Sequence, residues 1–273
     1  MAHDRSRDGR TPDPLPHGQG RTIIRIGDAI FVSGQTGVRV GGCHGRGPED
    51  AAAQADFALR DLERLLEQVG ASLEDICKLT VYIDDRVHRI LIYRTIGRHL
   101  RGVHPVSTGL IVRGFSEPEA LFALDVAVVS QRSGPHRRLR KYHSDAARYG
   151  NELQALDCEF CMVVRAGRHV FLRGQTGQTI EDRLLIRGDA HAQAVQAMRN
   201  VKLLLGEADA SMSDICRVVL YVTDRAHLAP ARDAVLAALE GIPCAVSEIV
   251  VKGLASTELL MEVDVFAMQS QPN

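Results

Sequence analysis

The sequence predicts an α+β protein made of two copies of one unit, each a mixed sheet with two helices packed on one face. Three observations carry this. A stretch of the first half returns in the second at a nearly constant offset, apolar residues fall at helical spacing in two segments of each copy, and the segments between them alternate as strands do. Phe31–Gly37 (FVSGQTG) returns as Phe171–Gly177 (FLRGQTG), a shift of 140. Ala51–Arg86 returns at Ala190–Arg225, a shift of 139, with 16 of 36 positions identical. Pro105 returns at Pro243 and Asp125 at Asp264. An offset held over so long a stretch means a duplicated domain, since solenoid repeats are far shorter.

Each element of the unit follows from its residues. Ala29–Gln35 reads as a strand, with its copy at His169–Gln175. A helix is expected from about Asp50 to Val69, with Leu62, Leu65, Leu66 and Val69 on one face and Asp50 as its cap. Gly70 closes it in the left-handed conformation; Asp209 holds that place in the copy and tolerates positive φ better than most residues. Lys78–Ile83 alternates as a strand. A second helix is expected over Val87–Leu100, where Ile92, Ile96 and Leu100 are spaced at four. Two strands, near Thr108–Arg113 and Leu121–Val129, close the unit. Turns are placed at Gly41-Gly42 and Pro118. A sheet covered by helices on one side leaves its other face in need of a partner.

The expected domains are a tail over 1–21, a first unit over 22–130, a basic linker over 131–150 and a second unit over 151–273. The linker carries Arg137, Arg138, Arg140 and Lys141, which read either as a solvated connection or as a small anion contact. The 273 residues balance 33 Lys and Arg against 34 Asp and Glu. Tryptophan is absent and aromatics make up 4%. Such a chain has neither the basic excess nor the stacking surface of a nucleic-acid binder. No apolar run approaches the ~18 residues of a membrane span. No secretory signal heads the sequence, so the six cysteines are expected as free thiols in a reducing cytoplasm.

Motifs of cofactor chemistry are missing from the sequence: there is no P-loop, no GxGxxG after a strand, no HExxH and no serine elbow. Cys158-Glu159-Phe160-Cys161 is the sole CxxC, and a structural zinc would need two further ligands. Cys77 and Cys216 hold equivalent places and read as buried thiols, while Cys43-His44 sits in a Gly-rich loop with nothing to orient it.

The SGQTG strand end at Ser33–Gly37, Gln54, the Ala71–Ile76 turn, Val81-Tyr82, the Pro105-Val106-Ser107-Thr108-Gly109 turn and Met261-Glu262-Val263-Asp264 together resemble the Rid/YjgF family, whose founding members are reactive-intermediate deaminases. The resemblance covers about 22–129 and 160–268. It implies a chorismate-mutase-like fold, association in threefold barrels with clefts between neighbouring domains, a homo-oligomer such as a trimer, a small-molecule substrate and no cofactor. The family's deaminases hold a substrate carboxylate with an Arg two residues after the turn Pro, a task suited to the bidentate guanidinium. Here those places are Ser107 and Ala245, which argues against the usual carboxylated imine.

The family also places a Glu on the last strand to order water or move a proton. That place is Glu262 in the second copy and Ala123 in the first. The resemblance therefore implies Glu262 as the catalytic acid, with the alternative that it is an edge-strand charge opposing aggregation. Asp264, two residues on, shares its face, and Asp125 matches Asp264 and reads as structural. Substrate-binding candidates are Gly34, Gln35, Gly174 and Gln175 at the strand ends, with Ser107 and Thr108 on the turn. Cys244 follows the second turn Pro, and Arg173 replaces Ser33 and faces either the cleft or solvent. Arg113 and Lys252 are weaker cations of the same kind, and His104 is a candidate acid–base group before Pro105. One site assembled from the two copies would draw Ser107 and Thr108 from the first and Glu262 from the second. The expected activity is hydrolysis of an enamine, imine or related C–N electrophile. The other readings are a small-molecule binder without turnover and, opposed by the neutral charge, RNA cleavage of the kind ascribed to some family members.

Overall fold

A computed structural model describes residues 3–4, 22–38, 47–131, 134–141, 158–180 and 186–270. The Gly41-Gly42 turn, Cys43-His44, most of the tail and most of the linker lie outside them. Contacts divide the chain into two compact units: 1–105 with 114–135 and 141–160, and 106–113 with 136–140 and 161–273.

The first unit contains β1 (His3–Asp4), β2 (Thr22–Ile26), β3 (Ala29–Gln35), α1 (Pro48–Gln68), β4 (Ile76–Ile83), α2 (Arg89–His99) and β6 (Phe122–Val129). The strand between α2 and β6, β5 (Val106–Ile111), belongs by its contacts to the second unit. Strand order in the first unit is β1-β2-β3-β6-β4. β6 runs antiparallel between β3 and β4, pairing Phe31 with Ala127 and Thr80 with Asp125. α1 presents Ala55, Leu59, Leu62 and Leu66, all fully buried, to this layer. The helix begins earlier than Asp50: Gly47 is its cap, and Asp50, three residues in, accepts the Gly47 amide at 3.0 Å. An acidic side chain there meets an otherwise unpaired N–H at the positive end of the helix.

The second unit contains, besides β5, the strands β7 (Arg137–Leu139), β8 (Val163–Ala166), β9 (His169–Leu172), β10 (Gln175–Thr176), β11 (Ile215–Val222), β12 (Ala245–Val250) and β13 (Met261–Met268), with helices α3 (Ala190–Glu207) and α4 (Leu228–Ala238). Strand order is β12-β11-β13-β9-β8-β7, and β10 also pairs with β13. The strand expected over His169–Gln175 is thus broken at Arg173-Gly174. The expected α+β architecture is present in both copies, and each gains a strand that the spacing did not reveal, β2 and β8.

Repeated letters do repeated structural work. Gln54 donates to the Glu119 carbonyl (2.8 Å) and accepts the Leu121 amide (2.9 Å); Gln193 does the same with Glu258 (3.0 Å) and Leu260 (2.9 Å). Ser72 and Asp75 form a reciprocal cap on a single 3-10 turn, as do Ser211 and Asp214. Gly70 and Asp209 both take positive φ, 69° and 52°, as their place at the helix end requires. Arg25 and Arg165 cap the same helices, donating to the Val69 (2.8 Å) and Ala208 (2.7 Å) carbonyls. Strand β7 arises from the basic run: Arg137 pairs with Asp209, and Arg140 makes a two-pronged contact with Glu207 at 2.8 and 2.6 Å. Among the described residues no helix is long and apolar enough to cross a membrane.

Candidate active site

The site is built where β9 ends. Its partner β13 continues past it, so at Arg173-Gly174 the chain leaves the ladder before resuming as β10, where Thr176 pairs with Glu262. Across β13, Glu262 pairs with Tyr221 of β11. The Glu262 backbone is therefore flanked by strands on both sides, and the residue is only 5% exposed. It lies over Gly174: a Cβ on residue 174 would stand 1.7 Å from Glu262 Oε1 and 2.9 Å from Thr108 Oγ1. Gly174 does not have a positive φ, so glycine is required here by close approach alone.

Thr108 is fully buried on β5. The strand is held by backbone bonds: the Gly174 amide donates to the Ser107 carbonyl (3.3 Å), and Ile111 exchanges bonds with Gly253 at 2.9 and 3.1 Å. Lys252 contributes its backbone amide to the Ile111 carbonyl (2.9 Å), while its side chain is exposed, like that of Arg113. Sequence reasoning missed this clamp at Lys252-Gly253, because backbone pairing leaves no side-chain signature. A buried carboxylate beside a buried hydroxyl pairs a proton acceptor with a donor, a combination that can move a proton.

Of the residues predicted from sequence, the second unit gathers Ser107, Thr108, Arg173, Gly174, Gln175 and Glu262. Arg173 is half-buried, and its guanidinium reaches the Met162 sulfur at 3.8 Å. Gln175 is buried and donates to the Arg173 carbonyl (2.7 Å), bracing the strand break. Gln35 makes the equivalent bond to Ser33 in the first unit (3.3 Å). There Gly34 donates to Asp125 (3.0 Å), which also accepts from Ser33 Oγ (2.8 Å) and Tyr82 (3.1 Å). Cys244 is elsewhere: it precedes β12 beside the start of β11, about 16 Å along the strand from Glu262's neighbour Tyr221, at roughly 3.3 Å per residue. His104, in a left-handed conformation at φ 54°, turns toward Glu159 (3.9 Å) in the first unit. Cys158 and Cys161 are both buried, and no cluster of three potential metal ligands occurs among the described residues.

Residues 13–128 and 151–269 each match the family described as Endoribonuclease L-PSP. The chain belongs to that family, as a tandem duplication. The expected kinship with Rid/YjgF proteins is borne out. The chain is similar to a RutC family protein of Pyrococcus abyssi, at 36% identity over 78 residues, 26% of this chain and 56% of the relative. The chain thus matches little more than half the length of that curated relative. Among solved structures it is similar to a chorismatase, with TM-score 0.66 and 16% identity over 92% of this chain and 78% of the other, a likeness of fold. It is also similar to Rv2704 of Mycobacterium tuberculosis, a member of the YjgF/YER057c/UK114 family, at 26% identity and TM-score 0.39 over 50% of this chain and 100% of the other. Family membership supports a deaminase-like or binding role toward small molecules.

Proposed function

We propose that this protein hydrolyses the C–N bond of a small enamine, imine or related electrophile without a cofactor. The observation that carries this reading is the buried Glu262 carboxylate lying over Gly174, with the buried Thr108 hydroxyl beside it. Glu262 accepts a proton from water as the oxygen adds to the C=N carbon. It returns that proton to nitrogen to give a carbinolamine, then carries the hydroxyl proton to the same nitrogen, which leaves as ammonia while the carbon becomes a carbonyl. Thr108 orients the water or the substrate's polar end. With Ser107 and Ala245 in the places of the family's anchoring Arg, substrates lacking a carboxylate fit better than carboxylated imines.

The other reading is a ligand-binding protein without turnover, favoured by that same absence. RNA cleavage is opposed by a net charge of −1 and by the engagement of Arg137 and Arg140 with Asp209 and Glu207. We also assign the edge strand β12, exposed along its whole length, to contact with a further copy of the chain. Its counterpart in the repeat, β5, is covered within the second unit. The deciding assay is ammonia release from enamines and imines generated in situ, with and without a carboxylate, beside Glu262→Gln. Release above buffer that the variant loses supports the hydrolase; wild type matching buffer across the panel overturns it in favour of the binder.

A further inference from the structure

Strands β11 and β12 run parallel with Arg217 opposite Ala245, so Cys216 and Cys244 stand one step back, side by side on neighbouring chains of the sheet. Neighbouring strands lie about 4.8 Å apart, within the Cα separations of roughly 4.4–6.8 Å that a disulfide spans. Both thiols are free and half-buried. They line one pocket of about 590 Å³ together with Arg168, Asp214, Pro243 and Met268. Burial, and then the nearby Cys216 sulfur, push the Cys244 thiol above its ordinary value of 9.0.

Two further features favour chemistry between these thiols. In the ladder with β13, Ile215 pairs with Ala267 and Arg217 with Phe266, which leaves Cys216 as the extra residue of a bulge. Backbone at a bulge is not locked by ladder bonds and is free to adjust to a partner sulfur. The Nε of Arg168, buried and without a hydrogen-bond partner among the described residues, gives the same pocket wall an unpaired donor that a small polar reagent can meet. The pair is peculiar to the second copy. In the first, Cys77 is fully buried and Val106 stands where Cys244 does.

We propose that Cys216 and Cys244 form a two-cysteine redox site that is oxidised by small peroxides and reduced by small thiols. One thiolate attacks the peroxide, cleaving the O–O bond to give a sulfenic acid and releasing water or an alcohol. The second thiol displaces hydroxyl from that sulfenic acid, forming the S–S bond and a molecule of water. Two electrons pass from the two sulfurs to the peroxide, and two equivalents of a small thiol return them by exchange. The site stands apart from Glu262 and does not depend on the hydrolase reading.

The test is peptide mapping of the full chain after treatment with hydrogen peroxide, with free thiols blocked under denaturing conditions. The expected product is a linked pair of peptides carrying Cys216 and Cys244, short of two hydrogens, and absent after dithiothreitol. A native-state probe checks the same pair without oxidation: phenylarsine oxide, which bridges adjacent thiols, should bind a Cys158→Ser background, in which the CxxC is removed, one to one, and be lost there on adding either Cys216→Ser or Cys244→Ser. No linked peptide at a dose that leaves circular dichroism unchanged overturns the proposal. So does linkage of Cys244 to any other cysteine, or arsenical binding that survives in that background when either change is added and the variant is folded.

Discussion

Glu262 occupies the space that a side chain on residue 174 would fill: its Oε1 lies 1.7 Å from where a Gly174 Cβ would stand. One copy of the repeat has the carboxylate and close-packed glycine together. In the other, Ala123 replaces the Glu, and Gly34 is needed for a different reason, a φ of 74°. The two glycines share a motif and not a physical cause.

Gly174→Ala therefore disturbs the site itself. The obstructing atoms are the buried Glu262 carboxylate and Thr108 hydroxyl, which must shift to admit a methyl group, while alanine's stiffer unfolded chain returns about 0.4–1 kcal/mol. We expect a loss of about 1–3 kcal/mol, the range of overpacking. Activity should fall as in Glu262→Gln, by about 100-fold or more for a lost acid–base group. Thermal melts beside ammonia release read the two effects separately; full activity in the alanine variant would remove Glu262 from the mechanism.

Gly37→Ala should disturb the scaffold instead. Here φ is 67°, and a Cβ would stand 1.9 Å from the Gln54 carbonyl oxygen, part of the α1 backbone. Neither strain nor overlap is relieved without moving the helix, so the expected cost is about 3 kcal/mol or more, in the range of severe backbone and overpacking changes. Urea titration measures it. A loss below 1 kcal/mol would mean that the helix start yields easily.

Asp125 is retained in both copies, as Asp264 in the second, while the neighbouring Glu is not. Its carboxylate gathers Ser33, Gly34 and Tyr82 and closes the end of β3. Asp125→Ala leaves three donors to find water and should cost about 2 kcal/mol of stability. Turnover at Glu262, in the other unit, should persist below the variant's melting temperature. Unfolding curves and ammonia release on the same preparation decide it.

These contrasts explain what was legible in the sequence. Letters identical in both copies were visible by self-comparison and prove to be scaffold: the Gln54 and Gln193 clamps and the Ser72–Asp75 and Ser211–Asp214 caps. What sets the candidate site apart lies in letters that differ around the shared Gly174, Glu262 against Ala123 and Ser107 against Ala245, and only the resemblance to a family pointed at them. The short strands β2, β7 and β8 span too few residues to show an alternation. That β5 groups with the second unit could not be read at all, because a strand's periodicity says which face is buried and nothing about which backbone lies beside it. Cys244 illustrates the opposite limit: its place after the turn Pro suggested the cleft, and the register of β12 puts it at the far end of the strand.

The edge strand β12 offers a test of self-association. Val246, Ile249 and Val250 are all exposed on it, and exposed apolar edges invite pairing. Sedimentation should give a species larger than the monomer, and Ile249→Asp, placing a charge on a residue already 43% exposed, should shift it toward the monomer without lowering the melting temperature of the monomeric fraction. A wild type that sediments as a monomer at all concentrations would leave β12 a bare edge.

The basic run at β7 gives a prediction in pH. The Arg140 hydrogen bonds, aided by its charge, hold the Glu207 carboxyl below its ordinary 4.5. A carboxyl whose folded value is depressed stabilises the fold above its unfolded value, and that contribution is lost as pH falls through the folded one. Arg140→Ala should therefore cost up to about 1 kcal/mol at pH 7, the scale of an exposed pair with two-pronged geometry. The gap between wild type and variant should close progressively below pH 4.5, and should narrow at pH 7 in 1 M salt, where the screening length falls to about 3 Å. Urea midpoints at pH 7, 5 and 3 trace it. A gap that stays constant across that range would assign the role of Arg140 to packing of its aliphatic stem instead of its charge.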